Sequence, residues 1–219
     1  MNGLIKNHFY AVLSNMKLFS VFLSAVVLFT LISGNELFVN LIGYLLTVSI
    51  TFLSLFSYGR ENKGKWKKYL IASPISRSDT VKSHYLCALL WTLLSAAATI
   101  LFLFSVVLIH SNRYFYYGLR DIFTLLAVSV CISLLICAFF YPIVHFSGES
   151  RWEVSLFLSL LLAVGCSFGI ISLLNFLFAD FPQSNRIFYL QLFLFTLSSV
   201  CLFLLSFLLC LRLCRREEY

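Results

Sequence analysis

GRENKGKWKKYLIASPISRSDTVK, residues 59–82, is the one long charged interruption in a chain otherwise built of apolar runs. It carries Arg60, Lys63, Lys65, Lys67, Lys68, Arg77 and Lys82, set against only Glu61 and Asp79 as acids. Whether the flanking runs are protein core or membrane spans decides the fold. Composition answers that. Of 219 residues 61% are hydrophobic and only 11% charged, and the mean hydropathy is +0.95. A water-soluble domain needs roughly 25% charged residues to cover its surface. This chain is therefore read as all-α and polytopic, with its apolar runs in lipid.

Six runs are long or nearly long enough to cross a bilayer, which takes ~20 apolar residues. They fall at about 18–33, 37–56, 85–109, 122–144, 154–178 and 187–211. The first is short. It follows a stretch, residues 1–17, whose Ile5, Phe9, Val12, Leu13 and Met16 share one side at helical spacing while Lys6 and Lys17 stand away from it. That pattern predicts an amphipathic elbow helix in the interface, leading into an uncleaved first span. A secretory leader is the rival, but the run lacks a clear small-x-small cleavage site and a second apolar run follows at once. Gly34-Asn35-Glu36 reads as a tight turn after span one, and Pro142 falls near the end of span four, where a kink is tolerated.

Basic residues set the orientation. Lys6, Lys17, the seven of the long loop, Arg151, Arg212, Arg215 and Arg216 fall on one side, against Arg113, Arg120 and Arg186 on the other. The positive-inside rule then places both termini and the 57–84 loop in the cytoplasm. The net charge of +7 is accounted for by this arrangement, and nucleic acid is not an expected partner. The expected setting is a cell membrane.

What the spans lack narrows the function. None contains Asp, Glu, Lys or Arg, the usual carriers of proton relays and coupling-ion sites inside a membrane. There is no HExxH, no pair of intramembrane Asp and no P-loop, so the chain is not expected to be an enzyme or to bind a cofactor itself. The seven cysteines show no CxxC or zinc spacing and read as small hydrophobes. His8, His84, His110 and His145 each stand near a span boundary and read as scattered interfacial polar groups rather than metal ligands. Gly165 and Gly169 form a GxxxG, and Ser95 to Thr99 is a run of small residues; both suit close helix packing. The chain lacks an engine of its own.

Within the long loop Trp66, Tyr69, Leu70 and Ser73 cluster on one side of a helical wheel, with basic residues over the rest, which predicts a short helix from Glu61 to Ile71. Pro74 ends it. Ser76 or Ser78 then caps the next helix, with Asp79 in its first turn. A lipid-anchoring helix is the plain reading of this segment, its lysines meeting anionic headgroups. Helix, break and re-entry also describe a rigid elbow suited to a transmitted push.

The run Trp66, Tyr69, Leu70, Ser73-Pro74-Ile75-Ser76-Arg77, Val81-Lys82 and Tyr85-Leu86 resembles the ABC-2 type permease subunits of bacterial ABC exporters. It is most similar to the small six-span subgroup that includes permeases of bacitracin-type resistance and phenol-soluble modulin export. Ser73 stands where that subgroup commonly has leucine, and His84 where it commonly has lysine. The resemblance implies a half-transporter that pairs with a second permease, a copy or a paralogue. It implies a separate ATP-binding subunit carrying ATP and Mg. Trp66, Tyr69, Leu70, Pro74, Ser76, Arg77, Asp79 and Lys82 would then couple to that subunit, with Glu149, Arg151 and Trp152 as a second contact. The cargo expected for such an exporter is an amphipathic peptide, an antibiotic or a lipid-like molecule, which the charge-free spans fit without selecting. The alternative is a non-transporting membrane anchor or regulatory protein.

Overall fold

The computed structural model describes residues 2–33, 35–63, 77–110, 115, 118–147, 151–179, 181 and 184–217. Those residues form six helices: α1 (Asn2–Ser33), α2 (Glu36–Lys63), α3 (Arg77–His110), α4 (Leu119–Ser147), α5 (Trp152–Leu177) and α6 (Asn185–Glu217). The chain is all-helical over these residues. Five helices, α2 to α6, are long and apolar enough to cross a membrane. A sixth crossing follows if α1 counts as one span, its segments His8–Ser14 and Phe19–Ser33 meeting at 60°. The helix expected at Glu61 to Ile71 lies largely outside the described residues; α2 itself continues through Lys63.

Local signals account for the helix ends. Asn35 Oδ1 accepts the Leu37 amide at 3.1 Å, and Glu36 follows in the first turn, so the polar turn caps α2. Gly118 has φ +59°, the left-handed region that glycine enters without penalty. Its carbonyl accepts the Asp121 amide at 3.2 Å as α4 begins.

The outer surface is apolar, unlike that of a soluble protein, while serines and threonines share the interior with bulky apolar residues. Apart from His8, every buried polar residue among those described is a serine or threonine. Bulky apolar side chains also face outward, Ile32 at 83% and Phe176 at 81% exposure. In lipid there is no hydrophobic drive between helices, so small residues that let backbones close up are placed at helix contacts, beside buried side chains such as Phe140 and Leu135. The small run in α3 does this: Ser95 and Thr99 are buried, and Thr99 Oγ1 meets Thr47 Oγ1 of α2 at 2.8 Å. Thr47 also donates to Ser129 Oγ of α4 at 3.2 Å, so one hydroxyl cluster joins three helices.

α4 is the central post, packed against α2, α3, α5 and α6, while α1 lies at the edge against α2 and α3. The apolar stripe of the amino-terminal stretch turns inward. Phe9 stacks on Trp91 of α3 with ring centroids 4.8 Å apart, and Val12 is fully buried in the same cluster as Ile50. The GxxxG of α5, by contrast, has nothing within 4 Å of either added Cβ among the described residues, so it makes no close helix contact there.

Candidate functional site: the aromatic box at the loop end of the bundle

Residues 64–76 lie outside the described residues, and with them Trp66, Tyr69, Leu70, Pro74 and Ser76. The described geometry begins where the chain leaves α2 and enters α3. Arg77 opens α3. Asp79 stands in the first turn of α3 and accepts a hydrogen bond from Lys82 Nζ at 3.2 Å. That half-exposed pair is a helix-stabilising contact worth about 0.2–0.5 kcal/mol, screened by solvent.

Just inside these residues four helices meet in one box of rings. Tyr58, near the end of α2, stands edge-on to His84, near the start of α3, with centroids 4.6 Å apart at 90°. His84 in turn meets His8 of α1 at 5.1 Å, and Tyr58 meets Phe140 and Tyr141 of α4 at 5.8 Å each. Tyr141 Oη donates to the His84 carbonyl at 3.2 Å. Both described ends of the loop are thereby tied to each other and to α1 and α4. Edge-to-face pairs of this kind add about 0.5–1.5 kcal/mol each beyond burial.

A second knot lies one turn deeper and follows from Pro142. Proline has no N–H, so the carbonyl four residues earlier, Ala138, loses its helical partner. An orphaned carbonyl in lipid must be satisfied by a neighbour. Ser206 of α6 does so, its Oγ donating to Ala138 O at 2.6 Å. Having spent its one proton there, Ser206 accepts from Tyr85 of α3, whose Oη lies 2.7 Å from Ser206 Oγ and 3.3 Å from Cys210 Sγ. Pro142 is thus built into a three-helix contact within an unbroken helix. The Tyr85 ring packs on Tyr141, Phe203 and Phe207 at 4.5, 5.3 and 5.1 Å.

The turn between α4 and α5 reaches the same end. Glu149 lies outside the described residues. Arg151 is exposed and precedes α5, whereas Trp152 is 3% exposed and stands edge-on to Phe56 of α2 at 5.2 Å. Of the three residues expected to form a second partner contact, Arg151 is the described one that faces outward. Trp152 braces the turn against the helix that leads into the loop.

Sequence reasoning missed the pairing of His8 with His84, which it read as separate boundary residues. Neighbouring residues gave no sign of a contact between positions so far apart in the chain. Ser206 escaped for the opposite reason, being one of many serines in apolar runs. Pro142 was the readable signal, since a mid-helix proline announces a carbonyl that needs a donor.

At the opposite end the contacts are polar clasps. His110 Nε2 of α3 lies 2.7 Å from the Leu31 carbonyl of α1. Arg120 of α4 donates to Asn185 Oδ1 of α6 at 2.7 Å and lies over the Phe188 ring at 3.8 Å. Between the two ends the described interior offers hydroxyls and hydrocarbon. Among the described residues no group of three His, Cys, Asp or Glu side chains is placed to hold a metal ion.

Comparison with known proteins gives one finding. A family model described as ABC-2 family transporter protein matches residues 3–215, nearly the whole chain. No curated protein and no solved structure matches.

Proposed function

The chain belongs to the ABC-2 transporter family, and from that premise we propose that it is the membrane-spanning permease subunit of an ATP-driven exporter in a bacterial cell membrane. The family is a membrane transport component that is not itself catalytic, and it implies an ATP-binding partner subunit. On this reading ATP and Mg are held by that partner, and this chain pairs with a second permease to form the path. The loop between α2 and α3 faces the cytoplasm and docks through Trp66, Tyr69, Leu70, Pro74, Ser76, Arg77, Asp79 and Lys82. Arg151 adds a second contact from the turn before α5.

The observation that carries the reading is the family match along the chain. The geometry supports a place for work to enter. A push on the loop acts on Tyr58 and His84 together, and their rings bear on His8 of α1 and on Phe140 and Tyr141 of α4. One docking event would therefore move four helices as a set. Apolar windows without charge favour an amphipathic peptide, an antibiotic or a lipid-like cargo over a small ion.

The test is to purify the chain with the ATP-binding subunit that accompanies it and reconstitute both in vesicles. Trp66→Ala and Arg77→Glu should each leave ATP hydrolysis measurable while cutting cargo movement per ATP at least about tenfold, as loss of a few kcal/mol of docking energy would do. Intact coupled transport in both variants would refute the docking assignment. Failure to recover any ATP-binding subunit would refute the transporter reading itself.

A further inference from the structure

α1 leaves an unfilled volume at its bend. A groove of about 380 Å³ runs between α1, α2 and α3, starting at Met16 and Phe19 and floored by Ile50 and Phe102. It opens to the outside of the bundle beside Leu101, which is 70% exposed. Its size falls in the range of small-molecule sites, about 300–1,000 Å³. Three serines line it, but each has committed its proton to its own helix. Ser20 Oγ donates to Lys17 O at 2.9 Å, Ser24 Oγ to Val21 O at 2.8 Å and Ser105 Oγ to Phe102 O at 2.6 Å. The groove therefore has no hydroxyl proton left for a peptide carbonyl or a sugar, and in hydrocarbon surroundings a polar occupant would go unsatisfied.

The membrane supplies the occupant. The α1 segment beyond the bend, Phe19–Ser33, is 15 residues, about 22 Å of helix at ~1.5 Å per residue. The hydrocarbon layer is ~30 Å thick. The bend thus leaves a notch in the leaflet on the amino-terminal side, and the bilayer must fill a mismatch of that kind. The groove has the volume of one small-molecule site and a hydrocarbon lining, which suits one acyl chain. At its bend end stands Lys17, exposed and next to Met16 in the chain, on a stem long enough to reach the headgroup layer.

We propose that this groove is a phospholipid site, holding one acyl chain along α1 and α3 with the anionic headgroup phosphate on Lys17. The inference stands on the membrane placement of the helices and not on the transport reading. A bound lipid here braces the bent, edge-placed α1 against its neighbours.

The test uses the full chain in vesicles of mixed phosphatidylglycerol and phosphatidylethanolamine. A photoreactive benzoylphenylalanine replaces Leu101 in one sample and Leu161, exposed on α5, in another. Mass spectrometry should find one-phospholipid adducts several-fold more often at 101 than at 161. Ala98→Phe, which fills the groove, should remove that excess. Lys17→Gln should lower the phosphatidylglycerol share of the adduct at 101 by about fivefold, the effect of losing one cation at an anionic headgroup. Equal adduct yields at the two positions would overturn the site, as would a covalent dimer of the chain at 101. An unchanged headgroup ratio in the Lys17 variant would overturn the assignment of the phosphate.

Discussion

Ser206 holds the carbonyl that Pro142 abandons, and this gives a sharp test. Ser206→Ala leaves Ala138 O without a donor in a buried setting, costing about 1–3 kcal/mol. Pro142→Ala returns an N–H to α4, so Ser206→Ala should cost far less in that background. A denaturant titration in mixed micelles reads the double-mutant cycle, and additive losses would show the two residues to be unlinked. Thr47→Val removes both the Thr99 and the Ser129 contact while keeping the volume. It should destabilise by about 0.6–1.7 kcal/mol, the range for hydrogen bonds between membrane helices. At this scale the sequence said little, because an apolar run gives no sign of which serine faces a neighbour. Pro142 was the exception.

Among the helices, α2 and α4 come together at Gly43. A Cβ built there would lie 2.7 Å from Leu125 Cδ2, well inside contact, and Leu125 is 3% exposed. Gly43→Val should lower stability by about 1–3 kcal/mol through overpacking. Leu125→Ala in the same chain should recover most of the loss, and thermal unfolding in detergent measures both. α1 shows how far patterning reaches. Of the apolar stripe read at residues 5, 9, 12, 13 and 16, Leu13 is exposed, whereas Phe9, Val12 and Met16 pack inward. Their partners, Trp91 and Ile50, were not legible, since the same stripe suits a membrane surface and a neighbouring helix alike. The GxxxG of α5 shows the converse limit, for a spacing that permits close approach does not say which helix makes it.

For the molecule as a whole, an all-helical membrane chain was readable because bilayer thickness imposes a length and charge imposes breaks. Of the six spans expected, five helices, α2 to α6, are long and apolar enough to cross, and a sixth depends on counting the bent α1 as one span. The interior was not readable, because the same Leu, Ile, Val and Phe residues occur both buried and on the lipid-facing sides. The proposed orientation makes a direct prediction. In a chain freed of its seven cysteines, Lys67→Cys should react with a membrane-impermeant maleimide only after cells are opened. Arg113→Cys should react in intact cells, and the reverse pattern would invert the topology.

The buried hydroxyls of α5 carry one more consequence. Ser155, Ser159 and Ser167 each donate to a carbonyl of the preceding turn, at 3.1, 2.8 and 2.7 Å, and so hold nothing on α4. The knots at Thr47 and Ser206, by contrast, tie α4 to α2, α3 and α6 by hydroxyls that cross between helices. The bundle therefore has a side stitched by polar contacts and a side held by side-chain packing. On that second side Leu156 and Ala163 of α5 share the apolar cluster of α4, and Trp152 against Phe56 ties α5 to α2 at the loop end.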